Sequence, residues 1–264
     1  MAALKSLQPA VGALLRNPVL IVLVGLYGLV QLPQLLLQPS QPVLAAVVSL
    51  GASGVLLLAM PFIQGGLLGM ADEALTGRTN LSTFIAEGKR NYVTLLLGYL
   101  AIFAINLVLG GVAFVAVIIG SVGFAVGNGQ PNLAVLAVLA AVGLLALFAY
   151  LLFAFFIQFY AHAVVLSGSK LIAGFKQSIG VVRQHLLSTF GYSLIMLVGG
   201  IVLGGISGLA SFAFAPQPAD FPFSFPEVST VLVAVAAVVY ILAIAVLGGF
   251  YATYSVSFYR SIEA

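Results

Sequence analysis

Long apolar runs separated by short polar connections dominate the pattern along this chain. The runs cover residues 18–37, 43–71, 92–126, 133–166, 190–214 and 229–259. About 20 apolar residues are enough for a helix to cross the hydrocarbon core of a bilayer. The runs are continuous, whereas membrane-spanning strands alternate apolar and polar residues. The pattern therefore predicts an all-α integral membrane protein with six transmembrane helices.

Three shorter segments, 4–15, 80–92 and 170–186, have a different pattern. In each, apolar residues recur at the spacing of one helix face, and polar residues lie between them. They are too short and too polar to cross a membrane. We predict that they are amphipathic helices lying in the cytoplasmic interface of the membrane.

Each amphipathic segment precedes two apolar runs, which suggests an internal repeat. Gln64 and Gln158 both follow a Phe-Ile pair and would lie at equivalent depth. All the repeats would enter the membrane in the same direction, as parallel repeats do. Within a single six-span membrane domain, 1–264, we predict three hairpin-like repeats: 1–71, 77–166 and 169–260.

The distribution of basic residues orients this topology. All nine Lys and Arg residues fall at the chain ends or in the second and fourth connections. The other connections, at 39–42, 127–132 and 215–227, contain no basic residue. Basic residues near membrane spans favour the cytoplasmic side. We therefore predict a multi-pass protein of the cell membrane with cytoplasmic N- and C-termini.

Composition agrees with a membrane setting and narrows the partners. Apolar residues make up 62% of the chain and charged residues 6%, whereas a soluble domain has about 25% charged residues. The basic residues are too dispersed to predict nucleic-acid binding. A basic cytoplasmic face attracts anionic lipid headgroups instead. The candidate headgroup-binding residues are Lys170, Lys176, Arg183, Lys89 and Arg90.

Few residues could support catalysis or metal binding. The chain has no Cys, which excludes disulfides and thiolate chemistry. Asp72, Glu73 and Glu87 could form a cation or headgroup site at the inner interface, but we interpret them as solvated charges at helix ends. The spacing of His162 and His185 matches no metal-binding motif. We therefore expect no cofactor, no bound metal and no enzymatic activity.

Buried polar groups offer a candidate cavity. No ionisable residue falls near the middle of a span, as proton- and ion-coupled transporters usually require. Gln64, Gln158 and His162 could instead line a cavity among the spans. The simpler interpretation of the two amides is hydrogen bonding between helices.

Several segments resemble a known group of sequences. They are Pro61 to Leu75, Gly77-Arg78, Phe84 to Tyr92, Phe175 to Arg183 and Gly191-Tyr192. Together they resemble a family of uncharacterised six-span integral membrane proteins of halophilic archaea, over nearly the whole chain. The chain is more distantly similar to the membrane domain of glycerophosphoryl diester phosphodiesterases. Their chemistry belongs to a separate soluble domain, so the resemblance implies no activity here.

These observations rank three functions. The first is a non-enzymatic, lipid-facing scaffold or the membrane subunit of a larger assembly. Its cytoplasmic face would engage anionic lipids, a protein partner or a second copy of the chain. The alternative is a carrier or channel for an apolar or lipid-like solute. A membrane enzyme is third.

Overall fold

The computed structural model describes residues 2–37, 42–126, 133–214 and 230–263. The predicted external connections at 127–132 and 215–227 lie outside these ranges, as does most of the connection at 39–42. Ten helices and no strand occur in the described part of the chain. They are α1 (Ala2–Lys5), α2 (Leu7–Arg16), α3 (Val19–Leu37), α4 (Pro42–Thr76), α5 (Leu81–Val126), α6 (Leu133–Ile157), α7 (Tyr160–Leu166), α8 (Leu171–Gln184), α9 (Leu186–Phe214) and α10 (Thr230–Glu263).

Five helical stretches are long and apolar enough to cross a membrane. They are Ala46–Thr76, Leu81–Ser121, Leu133–Leu166, Leu186–Ile206 and Ala237–Glu263. A bent pair, Ala2–Arg16 with Val19–Leu29, supplies a sixth if the two helices count as one span, and the bend is 83°. The structure thus confirms an all-helical chain with several potential membrane spans. The six-span count and the triple repeat stay predictions.

The second predicted interfacial helix is not separate from its span. Residues 80–92 and 92–126 were predicted as two elements, but α5 runs from Leu81 to Val126 without interruption. Asn80 begins it, because its side-chain oxygen accepts hydrogen bonds from the backbone N–H groups of Ser82 (2.8 Å) and Thr83 (3.3 Å). No proline follows to end the helix. The sequence pattern at the junction therefore changes polarity without changing backbone structure.

The helices group into two compact units. Unit 1 contains residues 1–92 and 185–264, and unit 2 contains residues 93–184. These boundaries differ from those of the predicted repeats.

The core of unit 1 surrounds the C-terminal half of α10. Tyr192 on α9 stacks on Phe258 and Tyr254 with ring centroids 4.5 and 5.3 Å apart, and Tyr254 stacks on Phe250 at 5.5 Å. The Tyr254 hydroxyl donates a hydrogen bond to the carbonyl oxygen of Ala3 (3.2 Å). These contacts tie the N-terminal helices to the last helix. The packed core thus lies at the end of the helices that carries the basic residues.

Two glycines let α4 and α5 approach closely within unit 1. A Cβ placed on Gly66 would lie 2.7 Å from the carbonyl oxygen of Phe84, and one on Gly88 would lie 2.9 Å from that of Phe62. The Phe62 and Phe84 rings meet edge to face at 5.4 Å. Small residues commonly permit such close backbone approach between membrane helices.

In unit 2, Ser178 on α8 forms hydrogen bonds with backbone groups at the break between α6 and α7. Its hydroxyl donates to the carbonyl oxygen of Phe156 (2.8 Å) and accepts from the backbone N–H of Phe159 (3.1 Å). Ser178 is fully buried, as is Val182, on the face of α8 that packs against α7. Backbone groups freed by a helix break need such partners away from water.

Replacing Ser178 with alanine should therefore destabilise the protein by about 1–3 kcal/mol, because the two hydrogen bonds that its hydroxyl makes to the backbone at the break are lost. Thermal and SDS-induced unfolding in micelles would measure the change. Ser121→Ala is the matched control, since the exposed Ser121 hydroxyl donates to the carbonyl oxygen of Ile118 in its own helix. Equal effects of the two substitutions would contradict a bridging role for Ser178.

Candidate functional site

An ion pair joins the last turns of α4 to the last turns of α10 in unit 1. The Arg260 guanidinium donates to both carboxylate oxygens of Asp72, with both distances 2.8 Å. Arg260 also contacts Glu263 at 3.4 Å. Asp72 was interpreted from sequence as a solvated helix-end charge, but it binds a residue 188 positions away. Both partners are partly exposed, so the pair contributes modestly to stability.

The remaining described carboxylates of unit 1 also have hydrogen-bond partners. Glu73 accepts from the hydroxyls of Thr79 (2.7 Å) and Thr83 (2.6 Å). Glu87 pairs with Arg90 at 2.6 Å and accepts from the Asn91 amide at 3.1 Å. No group of three or more His, Cys, Asp or Glu residues within the described ranges could hold a metal ion. These carboxylates therefore serve intramolecular contacts.

Asn17 fastens the corner between α2 and α3 to the connection between α4 and α5. Its amide donates to the carbonyl oxygens of Ala13 (2.9 Å) and Gly77 (3.2 Å), and its oxygen accepts from the backbone N–H of Thr79 (2.8 Å). The side chain is buried. The sequence gives no sign of this role, because Gly77 and Thr79 are about 60 positions away and a single Asn carries no signal for such a contact.

Unit 2 concentrates the net charge of the protein. It contains Lys170, Lys176 and Arg183 but no Asp or Glu, whereas unit 1 contains six basic and six acidic residues. The formal charge of +3 therefore belongs to unit 2. All three side chains are exposed, and none forms an ion pair with a described residue. They are three of the five predicted headgroup-binding residues.

The other two predicted residues, Lys89 and Arg90, differ in their surroundings. Arg90 is paired with Glu87. Lys89 is exposed, forms no ion pair among the described residues, and lies at the edge of a groove. Lys89 and Arg90, which were predicted to have the same role, thus differ in whether a carboxylate of the protein pairs with them.

This groove lies in unit 1 between α4 and the start of α5. Its volume is about 550 Å³ and its lining is mostly apolar. The lining residues are Val55, Leu58, Ala59, Phe62, Lys89 and Tyr92. The four from α4 are spaced as one helix face. Because this part of α4 is apolar on every side, its sequence could not indicate which face lines a groove.

The residues of the predicted cavity fall in different units and do not line this groove. Gln64 belongs to unit 1, and its buried side-chain oxygen has no hydrogen-bond partner among the described residues. In unit 2, the Gln158 amide donates to the carbonyl oxygen of Phe155 (2.8 Å), and the buried His162 ring meets Phe159 edge to face at 5.4 Å. A cavity formed by the three residues stays a prediction.

Comparison with known proteins places the chain in a family without assigning an activity. No curated protein and no solved structure matches it. One family, described as Domain of unknown function (DUF7847), matches residues 1–262. Because this match covers nearly every residue, the chain belongs to the DUF7847 family.

Proposed function

We propose that this chain is a non-enzymatic, lipid-facing membrane protein that engages anionic lipids through the exposed basic residues of α8 and Lys170, which immediately precedes it. The observation that carries the proposal is the presence of Lys170, Lys176 and Arg183 on one short segment of a unit without carboxylates. Cations without an internal counter-charge attract anions from outside the chain. In a membrane, the nearest anions are lipid headgroups.

The packing of α8 supports this role. Its buried face, with Gly174, Ser178 and Val182, rests within unit 2, while Lys176 and Arg183 are exposed. The helix is therefore held in place by contacts that do not use its charges. Each basic group near an anionic membrane surface contributes about 1 kcal/mol of binding. By the positive-inside rule, this surface would be cytoplasmic.

Exposed apolar side chains along the helices favour lipid as the surrounding phase. Leu107, Val117, Leu145 and Ile201 are more than half exposed, as are many neighbouring residues. Lipid tails cover such surfaces without a specific partner. A membrane subunit or a second copy could also cover part of them, but the uncompensated cations at α8 single out lipid headgroups.

The salt dependence of this binding follows from the proposed setting. If the source is a halophilic archaeon, as the resemblance implies, ionic strength is high. The Debye length falls to about 3 Å at 1 M salt, so attraction over longer distances is screened. Headgroups would then be held only where Lys and Arg contact them directly.

A triple substitution tests this proposal. Changing Lys170, Lys176 and Arg183 to Gln should weaken binding of phosphatidylglycerol by about 100-fold at low salt, given about 1 kcal/mol per basic group. Binding of phosphatidylcholine should not change. Nanodiscs with varied phosphatidylglycerol content, followed by quantification of lipids retained on the purified protein, would measure both.

The matched control removes the same charge from unit 1, by changing Lys5, Arg16 and Arg78 to Gln. These side chains are also exposed, but their unit contains acidic residues. We expect a smaller loss of phosphatidylglycerol than with the α8 substitutions. Equal losses would show a general electrostatic effect and refute a preferred site at α8. Unchanged lipid binding with loss of a co-purifying protein would favour a protein partner.

A further inference from the structure

We propose that the groove between α4 and α5 binds one anionic membrane lipid, with an acyl chain along α4 and the phosphate at Lys89. This proposal deepens the proposed function and rests on it for the preference for anionic headgroups. It adds a second, separate site in unit 1, formed by residues other than those of α8.

The apolar part of the groove fits a hydrocarbon chain. Val55 and Phe62 are seven residues apart on α4, which is about 10 Å along a helix at 1.5 Å per residue. Leu58 and Ala59 complete the wall between them. The volume of about 550 Å³ lies within the range of small-molecule binding sites.

The polar end of the groove fits an anionic headgroup. Lys89 and Tyr92 are three residues apart and share one face of α5. Lys89 forms no ion pair with a described carboxylate, although Glu87 is nearby on the same helix and pairs with Arg90. The ammonium group of Lys89 is thus available to a phosphate. Tyrosine commonly lies at the headgroup level of membrane proteins.

Close helix packing holds the wall of the groove in place. Phe62 meets Phe84 edge to face, and its backbone lies against Gly88 at a distance that only glycine allows. The aromatic wall is therefore fixed before any ligand binds. A preformed site loses less conformational entropy on binding than one that must be ordered.

The exposure of the groove indicates that its ligand comes from the lipid phase. Val55 is 67% exposed and Leu58 is 56% exposed, so the apolar wall is open to the surroundings of the helix. Along a membrane-spanning helix those surroundings are lipid. A soluble anion would not contact the apolar wall favourably, and a neutral apolar solute would gain nothing from the charge of Lys89. A lipid with an anionic headgroup uses both.

The test is native mass spectrometry of the full chain, released from detergent after incubation with equal parts of phosphatidylglycerol and phosphatidylcholine. We expect the unmodified protein to retain one phosphatidylglycerol tightly. Lys89→Gln should reduce that retention about fivefold, as expected for one basic group at a headgroup. Ala59→Phe should fill the groove and abolish retention of both lipids.

Two substitutions serve as controls. Arg78→Gln removes an exposed charge outside the groove, and Ala46→Phe adds the same ring at an exposed position elsewhere on α4. Neither should change retention. Leu58→Trp is a second groove-filling variant, because Leu58 is more than half exposed and its replacement should not disturb the core. If Ala59→Phe fails to fold, Leu58→Trp should still lose the lipid.

The outcomes separate this site from the one at α8. The groove proposal is supported if the triple variant at Lys170, Lys176 and Arg183 keeps the tightly bound lipid and Lys89→Gln retains less of it. This holds whether or not the triple variant also loses other, weakly bound lipid. Unchanged retention in folded Leu58→Trp, or equal losses in Lys89→Gln and Arg78→Gln, would overturn the groove proposal. Neither of those results would affect the lipid binding measured at α8.

Discussion

Replacing Asn17 with alanine is expected to lower the free energy of unfolding by about 2–4 kcal/mol. The substitution removes three hydrogen bonds and leaves two buried or partly buried backbone groups, the N–H of Thr79 and the carbonyl of Gly77, without their partner. An unsatisfied buried polar group costs about 1–3 kcal/mol. SDS-induced unfolding in mixed micelles, followed by circular dichroism, would measure the loss.

Asn106→Ala provides the matched control for this prediction. The amide of Asn106 donates to the carbonyl oxygen of Ile102 in its own helix, and the residue is exposed. Its loss should change stability by less than about 1 kcal/mol. Asn17→Asp should not restore stability, because it keeps the acceptor for Thr79 but places a buried carboxylate oxygen opposite the carbonyl oxygens of Ala13 and Gly77. If Asn17→Ala and Asn106→Ala unfold alike, Asn17 does not hold the two segments together.

Replacing Gly66 with alanine is expected to destabilise the protein by about 1–3 kcal/mol, the usual cost of overpacking. The new methyl group would lie 2.7 Å from the carbonyl oxygen of Phe84. Because this neighbour is backbone, the conflict cannot be relieved by rotating a side chain. The helices would have to separate, which would also disturb the contact between Phe62 and Phe84.

Gly200→Ala is the control, with the same chemical change in a different environment. Nothing lies within 4 Å of a Cβ placed on Gly200. Alanine is favoured over glycine in a helix by about 1 kcal/mol, so this substitution should be neutral or stabilising. Thermal unfolding of both variants in micelles would show opposite signs. A loss of stability from Gly200→Ala as large as that from Gly66→Ala would contradict the close crossing as the cause.

Local properties of the chain predicted much of its architecture. The apolar runs led to the all-helical fold, and the structure confirms helices where those runs lie. The junction in α5 could not be predicted, because an amphipathic segment and a following apolar segment can share one helix. The backbone hydrogen bonding, which is uninterrupted from Leu81 to Val126, shows that the two segments form one helix.

The candidate sites show a similar division. Lys170, Lys176 and Arg183 were predicted as headgroup contacts, and in the structure all three are exposed in a unit without carboxylates. Lys89 and Arg90 were predicted together, but a carboxylate one helical turn away engages Arg90. The groove beside Lys89 had no sequence signal, because the part of α4 that lines it is apolar on every side.

By itself, the sequence determined the helical content, the apolar character of the long helices and the few segments in which the basic residues fall. These follow from residue types and from spacings of a few positions. Tertiary structure alone decided the pairing of Asp72 with Arg260, the contacts of Asn17 and the groove between α4 and α5. Such contacts join residues far apart in the chain, and their energies depend on which faces meet. In an apolar helix, no pattern of polar residues indicates which face contacts a neighbour. The contacting faces depend instead on close packing at a few glycines and on hydrogen bonds of a few polar side chains.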